Sequence, residues 1–233
     1  MFKEKLKESI MGKIVRIPHG VDLNLFYSKD KPNKCVFLAN KGLRGWEDRG
    51  GIQYLLKAYL EEFTDEDVEL IIKINPAYGV INLQELIDKY VDKKLKYPKL
   101  TVNDQLVRYE DLVKFYNKGT VFVSPTRAEA FNIPCAESSA CGLMSLTTGF
   151  GGQTDFIRDG ENGLYIDYDI TPVTWDLMYE SCSWATPKMD DLKKKLRWCY
   201  ENPDKVKQMG NNAQRIIRDF TWDKTAEKII SLK

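Results

Sequence analysis

The chain has 233 residues, with 35 Lys+Arg against 34 Asp+Glu, a formal net charge of +1, and 43% apolar and 30% charged residues. That balance excludes disorder and leaves no electrostatic footprint for nucleic acid, and no apolar run approaches the ~20 residues needed to span a bilayer. Five scattered cysteines with no CxxC spacing indicate neither a zinc site nor a disulfide framework, and the single histidine, His19, rules out most His-based metal sites. The expectation is a reduced, cytoplasmic protein with at most peripheral membrane contact.

Residues 1–13 alternate charges and carry Phe2, Leu6 and Ile10 at helical spacing, which reads as a linker or helix remnant rather than a signal peptide. A strand end is expected at Ile14–Pro18. Cys35–Ala39 is a compact apolar strand, followed by helical spacing from Gly51 to Phe63. Val68–Ile74 is a second strand, stopped by Asn75-Pro76, and Leu83–Leu95 has the apolar spacing of a helix. The lysines at 93, 94, 96 and 99 then read as the solvated end of that helix. A helix at Tyr109–Asn117 leads into a strand at Thr120–Ser124. A short helix near Pro134–Cys141 precedes a strand at Leu143–Thr148, and Gly163–Ile166 closes the strand series. From Val173 onward only helices are expected.

Strands separated by helices imply an α/β domain, a single Rossmann-like doubly wound parallel sheet covered on both faces, spanning residues 14–170, with residues 171–233 as a helical completion. Ligands of such sheets bind beyond the carboxyl ends of the strands. Three strand-to-helix loops there can carry chemistry. In the loop from Ser124 to Glu137, Pro134 fits the first position of a helix capped by Asn132 or Ile133, with Gly142 as its stop. Free N–H groups at that start suit a phosphate, and Glu129 and Glu137, the latter read in the first helical turn, can face one ligand. The loop Thr148–Asp155 brings Gly151 and Gly152, which let backbone approach a ligand, and it lacks the third glycine of a dinucleotide fingerprint. The loop Asn40–Gly51 mixes glycines with Lys41, Arg44 and Arg49, cations that suit a diphosphate.

In this order the segments resemble the C-terminal, donor-binding half of retaining GT-B glycosyltransferases of the glycogen-synthase and mannosyltransferase type. Ile17-Pro18-His19-Gly20-Val21-Asp22 is similar to the family's I-P-N/H-G-V-D junction, and Glu129 to Glu137 resembles its E-x7-E signature. Gly151-Gly152-Gln153-Thr154-Asp155 resembles the G-G-x-x-E turn, Asp159 to Gly163 the D-G-x-N-G segment, and Phe220-Thr221-Trp222 the F-x-W that opens the terminal helix. The chain departs from the family at Ala130 and Asn132, where E-G-F-G has glycines, and at Asp155, where it has Glu.

The resemblance implies that Glu129 contacts donor-sugar hydroxyls near the reacting carbon. It further implies that the N–H groups of Phe131, Asn132 and Ile133 meet sugar and phosphate oxygens, and that Glu137 binds the ribose hydroxyls. Lys41, Arg44 or Arg49 would neutralise the departing diphosphate without a metal. No cofactor is expected besides the nucleotide-diphosphate sugar itself. The family's acceptor half would precede residue 14, so this chain is expected to need an N-terminal acceptor domain or a homo-oligomer partner for transfer. The alternatives are a non-catalytic nucleotide-sugar-binding module, a sugar-nucleotide epimerase and a Rossmann oxidoreductase. His19 falls in the junction motif and reads as a turn histidine.

Overall fold

Strands form where β-branched and aromatic runs can be buried on both sides. In β1 (Cys35–Asn40), Val36 and Leu38 enter one apolar cluster while Phe37 and Ala39 enter the other, on the opposite face of the sheet. The computed structural model describes residues 14–42, 47–75, 85, 88, 96–174 and 179–232. β1 leads through α1 (Ile52–Glu62) to β2 (Val68–Lys73) and β3 (Lys99–Asn103). A 3₁₀ turn and α2 (Leu112–Tyr116) then precede β4 (Val121–Ser124), α3 (Ile133–Ala140), β5 (Met144–Thr148) and β6 (Gly163–Ile166). These six strands are all parallel, in the order β3-β2-β1-β4-β5-β6. That is the doubly wound arrangement, and its order reverses between β1 and β4.

An antiparallel hairpin follows, β7 (Tyr168–Pro172) paired with β8 (Ser183–Pro187), and then α4 (Met189–Glu201), α5 (Pro203–Ile216) and α6 (Trp222–Ile230). α4 lies along α1, where Arg197 donates to Glu62 at 2.8 Å and to Glu66 at 2.6 Å over the Phe63 ring. No helix among the described residues is long and apolar enough to cross a membrane.

Three expectations are corrected. Residues 14–18 form no strand. Val21 instead makes a single bridge to Thr221, with its N–H on the Phe220 carbonyl at 2.9 Å. Gly20 is required there, because a Cβ would stand 2.1 Å from Trp222 N. The junction motif and the terminal-helix motif are thus one contact. Lys99 opens an edge strand rather than ending a helix, held by its ion pair to Glu69 at 2.9 Å. The region after Val173 is not helical throughout, since β8 lies within it, stabilised by pairing with β7. Of the expected 83–95 helix only Glu85 and Asp88 are described, both helical, and the 1–13 segment lies outside the described residues.

Candidate functional site

Because the strand order reverses between β1 and β4, the loops that leave their carboxyl ends diverge and open a crevice. There lies a cleft of about 1030 Å³. Its wall includes Lys41, Arg49, Glu129, Ile133 and Glu137, five of the residues singled out from the sequence, together with Lys73, Leu106, Leu112, Tyr179 and Trp184. Arg44 lies outside the described residues.

Glu129 sits on the β4–α3 loop with its side chain 15% exposed, and Lys41 Nζ is ion-paired to its Oε1. The same ammonium donates to Asn132 Oδ1 at 3.0 Å. Arg49 Nη1 stands 3.6 Å from Glu129 Oε2 and also donates to the Ala128 carbonyl. Two cations therefore converge on one carboxylate at the switch point. Asn132 holds φ at 72°, left-handed backbone that asparagine tolerates better than most residues, so it takes the place of the motif's glycine without a forbidden geometry. Its side chain turns inward, donating to Ser124 Oγ at 3.0 Å, and does not crowd the cleft. The backbone N–H groups of Phe131, Asn132 and Ile133 make no backbone hydrogen bond among the described residues, as expected at a helix start.

Glu137 stands in the second turn of α3, not the first, and is 3% exposed. The Tyr116 hydroxyl donates to its Oε2 at 2.7 Å, and Asn40 Nδ2 donates to that hydroxyl at 3.0 Å. Burial pushes the Glu137 carboxyl up to about 7, and the Tyr116 and Tyr109 hydroxyls counter only part of that rise. A carboxylate held in this way is an acceptor poised for donors from a ligand. α3 ends as predicted at Gly142, whose N–H bonds the Ser139 carbonyl while Leu143 N–H bonds that of Ser138.

Gly151 and Gly152 do not line this cleft. They border a neighbouring depression with His19, Phe131, Phe150 and Asp155. Gly152 N–H donates to the Glu129 carbonyl at 3.1 Å, and a Cβ on Gly152 would stand 1.7 Å from the Ala130 carbonyl oxygen. The Gly-Gly turn therefore presses on the backbone of the loop that carries Glu129. Asp155 is ion-paired to Arg16 at 2.7 Å, and His19 stacks on Phe131 at 5.4 Å and tilts toward Trp222 at 5.7 Å. In the 159–163 turn, Asn162 bridges the Arg158 N–H and the Phe156 carbonyl, and Asp159 accepts from Tyr165 N–H. That motif is structural.

Two further buried cations stand in or beside the cleft wall. Arg127, 3% exposed, donates to Glu47 at 3.0 Å and to Thr186 Oγ1 at 3.1 Å, with its guanidinium over the Trp184 ring. Its N–H bonds the Arg49 carbonyl and its own carbonyl accepts from Ala185 N–H, both at 2.8 Å. One residue thus ties the β1 loop, the β4 loop and the β7–β8 hairpin together. Lys73, 4% exposed, ends β2 inside the cleft. A lysine inside the apolar run Leu70-Ile71-Ile72-Lys73-Ile74 was a signal in the sequence; nothing in the sequence marked Arg127.

Among the described residues no group of three or more His, Cys, Asp or Glu is placed to hold a metal. Residues 36–174 match the family described as Glycosyl transferases group 1. The chain belongs to that family. It is 22% identical over 223 residues to an uncharacterized glycosyltransferase, MJ1178, of Methanocaldococcus jannaschii, a match covering 95% of this chain and 54% of the relative. The chain spans about half the length of such curated relatives. Its fold matches the C-terminal domain of the group 1 glycosyl transferase LpcC from Francisella tularensis, with a TM-score of 0.60 at 16% identity, covering 85% of this chain and 97% of that one. It also matches Anabaena HepE, solved in complex with UDP-glucose, with a TM-score of 0.68 at 18% identity, covering 92% of this chain and 57% of HepE. At these identities the likeness establishes the fold, a Rossmann-like half of a GT-B architecture.

Proposed function

We propose that this group 1 glycosyl transferase chain binds a nucleotide-diphosphate sugar in the β1–β4 cleft and transfers the glycosyl group with retention once an acceptor domain or a partner subunit completes it. The observation that carries the reading is the convergence of Lys41 and Arg49 on Glu129, with Glu137 in the same cleft wall. A diphosphate entering there competes for both cations. As it takes them, Glu129 is left to accept hydroxyls of the sugar, and Glu137 accepts those of the ribose. Lys41, Arg49 and the N–H groups at the start of α3 then stabilise the charge that develops on the leaving diphosphate, the role a divalent cation fills in other transferases. The family and the UDP-glucose complex of HepE support a nucleotide sugar as ligand.

Completion by a second domain is supported by α6, which buries none of its residues and leaves Trp222, Ile229 and Ile230 exposed. A module that holds a nucleotide sugar without transferring it would leave the Glu129 cluster without a task. Titration calorimetry of the chain with UDP-, GDP- and ADP-sugars in a chelator-containing buffer tests the reading. Millimolar or tighter binding of at least one is the expected result; no binding of any overturns it.

A further inference from the structure

Lys73 is a buried ammonium with no contacting counter-ion among the described residues. Its Nζ donates to the Ile74 carbonyl at 2.8 Å, its one hydrogen bond among the described residues, and no carboxylate among them is in ion-pair contact with it. Asp104 acts on it only at longer range, and burial holds its proton affinity below the ordinary lysine value. An ammonium out of water without a partner is costly, and two of its three donors remain for whatever fills the cleft.

The sheet order places it. From one end of the cleft to the other, the strand ends run β3, β2, β1, β4. Lys73 lies opposite Asn40 on one side and Asn103 on the other. Lys41, one strand over, reaches toward β4, onto Glu129 and Asn132. Lys73 does not join that cluster, and the charge acting on it is Asp104, just beyond β3. Leu106 and Val107, which follow β3, and Leu112 contribute apolar surface to the cleft wall. The two lysines thus serve different parts of a ligand, Lys41 its anionic middle and Lys73 the border between that middle and an apolar end.

We propose that Lys73 selects the base of the bound nucleotide, donating to a ring carbonyl oxygen, so that the cleft takes uracil or guanine in preference to adenine or cytosine. This rests on the nucleotide-sugar reading above. An apolar end with a cation at its border suits a flat ring that carries an oxo group. Uracil O4 and guanine O6 are acceptors, whereas adenine and cytosine place an amino donor at the corresponding edge, and an ammonium has nothing with which to accept it. Mismatched polar groups in a buried site discriminate strongly.

Calorimetry of the whole chain with UDP, GDP, ADP, CDP and inorganic pyrophosphate, for the wild type and Lys73→Met, tests this. The Met side chain keeps the buried stem, and thermal denaturation checks that the variant is folded. The expected result is that UDP or GDP binds the wild type at least about tenfold tighter than ADP and CDP. Lys73→Met removes that preference and leaves pyrophosphate affinity within about twofold. Equal wild-type affinity for all four nucleotides overturns the inference while the nucleotide-sugar reading stands, whatever the variant does. So does a loss of pyrophosphate affinity matching the loss for UDP, which would make Lys73 a phosphate ligand. No binding of any nucleotide overturns both.

Discussion

The Tyr116 hydroxyl donates to Glu137 Oε2 at 2.7 Å within the wall of the cleft, and the acid that accepts it is buried enough to titrate at about 7. Its folded proton affinity is thus above the unfolded value near 4.5. A raised value means that the native state binds the proton more tightly than the unfolded chain. The stability this contributes is full below about 4.5 and is lost as the pH rises through about 7. Glu137→Gln removes the titration while keeping an acceptor for Tyr116. Denaturant melts should show the variant gaining on the wild type by on the order of 3 kcal/mol between about pH 4 and pH 8. A pH-independent difference would show that Glu137 is not buried as an acid.

Nucleotide affinity should run the opposite way. On the proposed reading, ribose hydroxyls donate to Glu137, and more strongly to its carboxylate than to the acid, so binding must strengthen as it ionises. Calorimetric affinity should rise several-fold between about pH 6 and pH 8 in the wild type and stay flat in Glu137→Gln. A wild-type profile as flat as the variant's would remove Glu137 from the binding reaction.

Arg127→Met should free the β7–β8 hairpin. Its guanidinium links Glu47, Thr171 and Thr186 across three chain segments, while Thr171 and Thr186 still hold each other at 2.6 Å. A loss of about 1–3 kcal/mol is expected. Amide exchange should quicken in residues 168–172 and 183–187 well before the six-stranded sheet. Uniform quickening throughout would assign Arg127 to the core rather than to the hairpin junction.

Gly152→Ala places a methyl group 1.7 Å from the Ala130 carbonyl oxygen, which is backbone and cannot swing aside. The loop carrying Glu129 must move, at a cost of about 3 kcal/mol or more. Asn132 offers the contrasting case. Asn132→Gly keeps the left-handed backbone and loses two side-chain hydrogen bonds, whereas Asn132→Val loses the same bonds and adds strain at φ 72°. Thermal melts should place the valine variant about 1–3 kcal/mol below the glycine variant. Equal melting temperatures would mean that the loop relaxes out of the left-handed region.

The parallel sheet was legible in the sequence because its central strands are buried on both faces, which leaves runs such as Cys35-Val36-Phe37-Leu38-Ala39 with no polar interruption. β3 was not, because it lies at the sheet edge and reads Lys99-Leu100-Thr101-Val102-Asn103, half polar and held partly by the ion pair to Glu69. β7 and β8 escaped because two short strands, one of them largely exposed and both ending in proline, depend on each other and on Arg127. The site was legible as far as spacing reaches. Glu129, Glu137, Lys41 and Arg49 meet in one cleft because the strand order reverses where their loops leave the sheet. Gly151 and Gly152 fall outside it, since glycine after a strand signals close approach without saying whether a ligand or, as here, another loop is approached.

On the proposed reading, Glu137 and Glu129 divide one ligand between them, the nucleotide to the first and the sugar to the second. The direct measurement is a calorimetric comparison of a nucleotide diphosphate with its sugar conjugate, on the wild type, Glu137→Ala and Glu129→Ala, using the nucleotide that binds best. Glu137→Ala should weaken both ligands about tenfold or more. Glu129→Ala should bind the bare diphosphate at least as tightly, because Lys41 and Arg49 lose their competing carboxylate, and abolish the increment that the sugar adds. If both variants bind both ligands as the wild type does, the cleft between β1 and β4 is not the donor site.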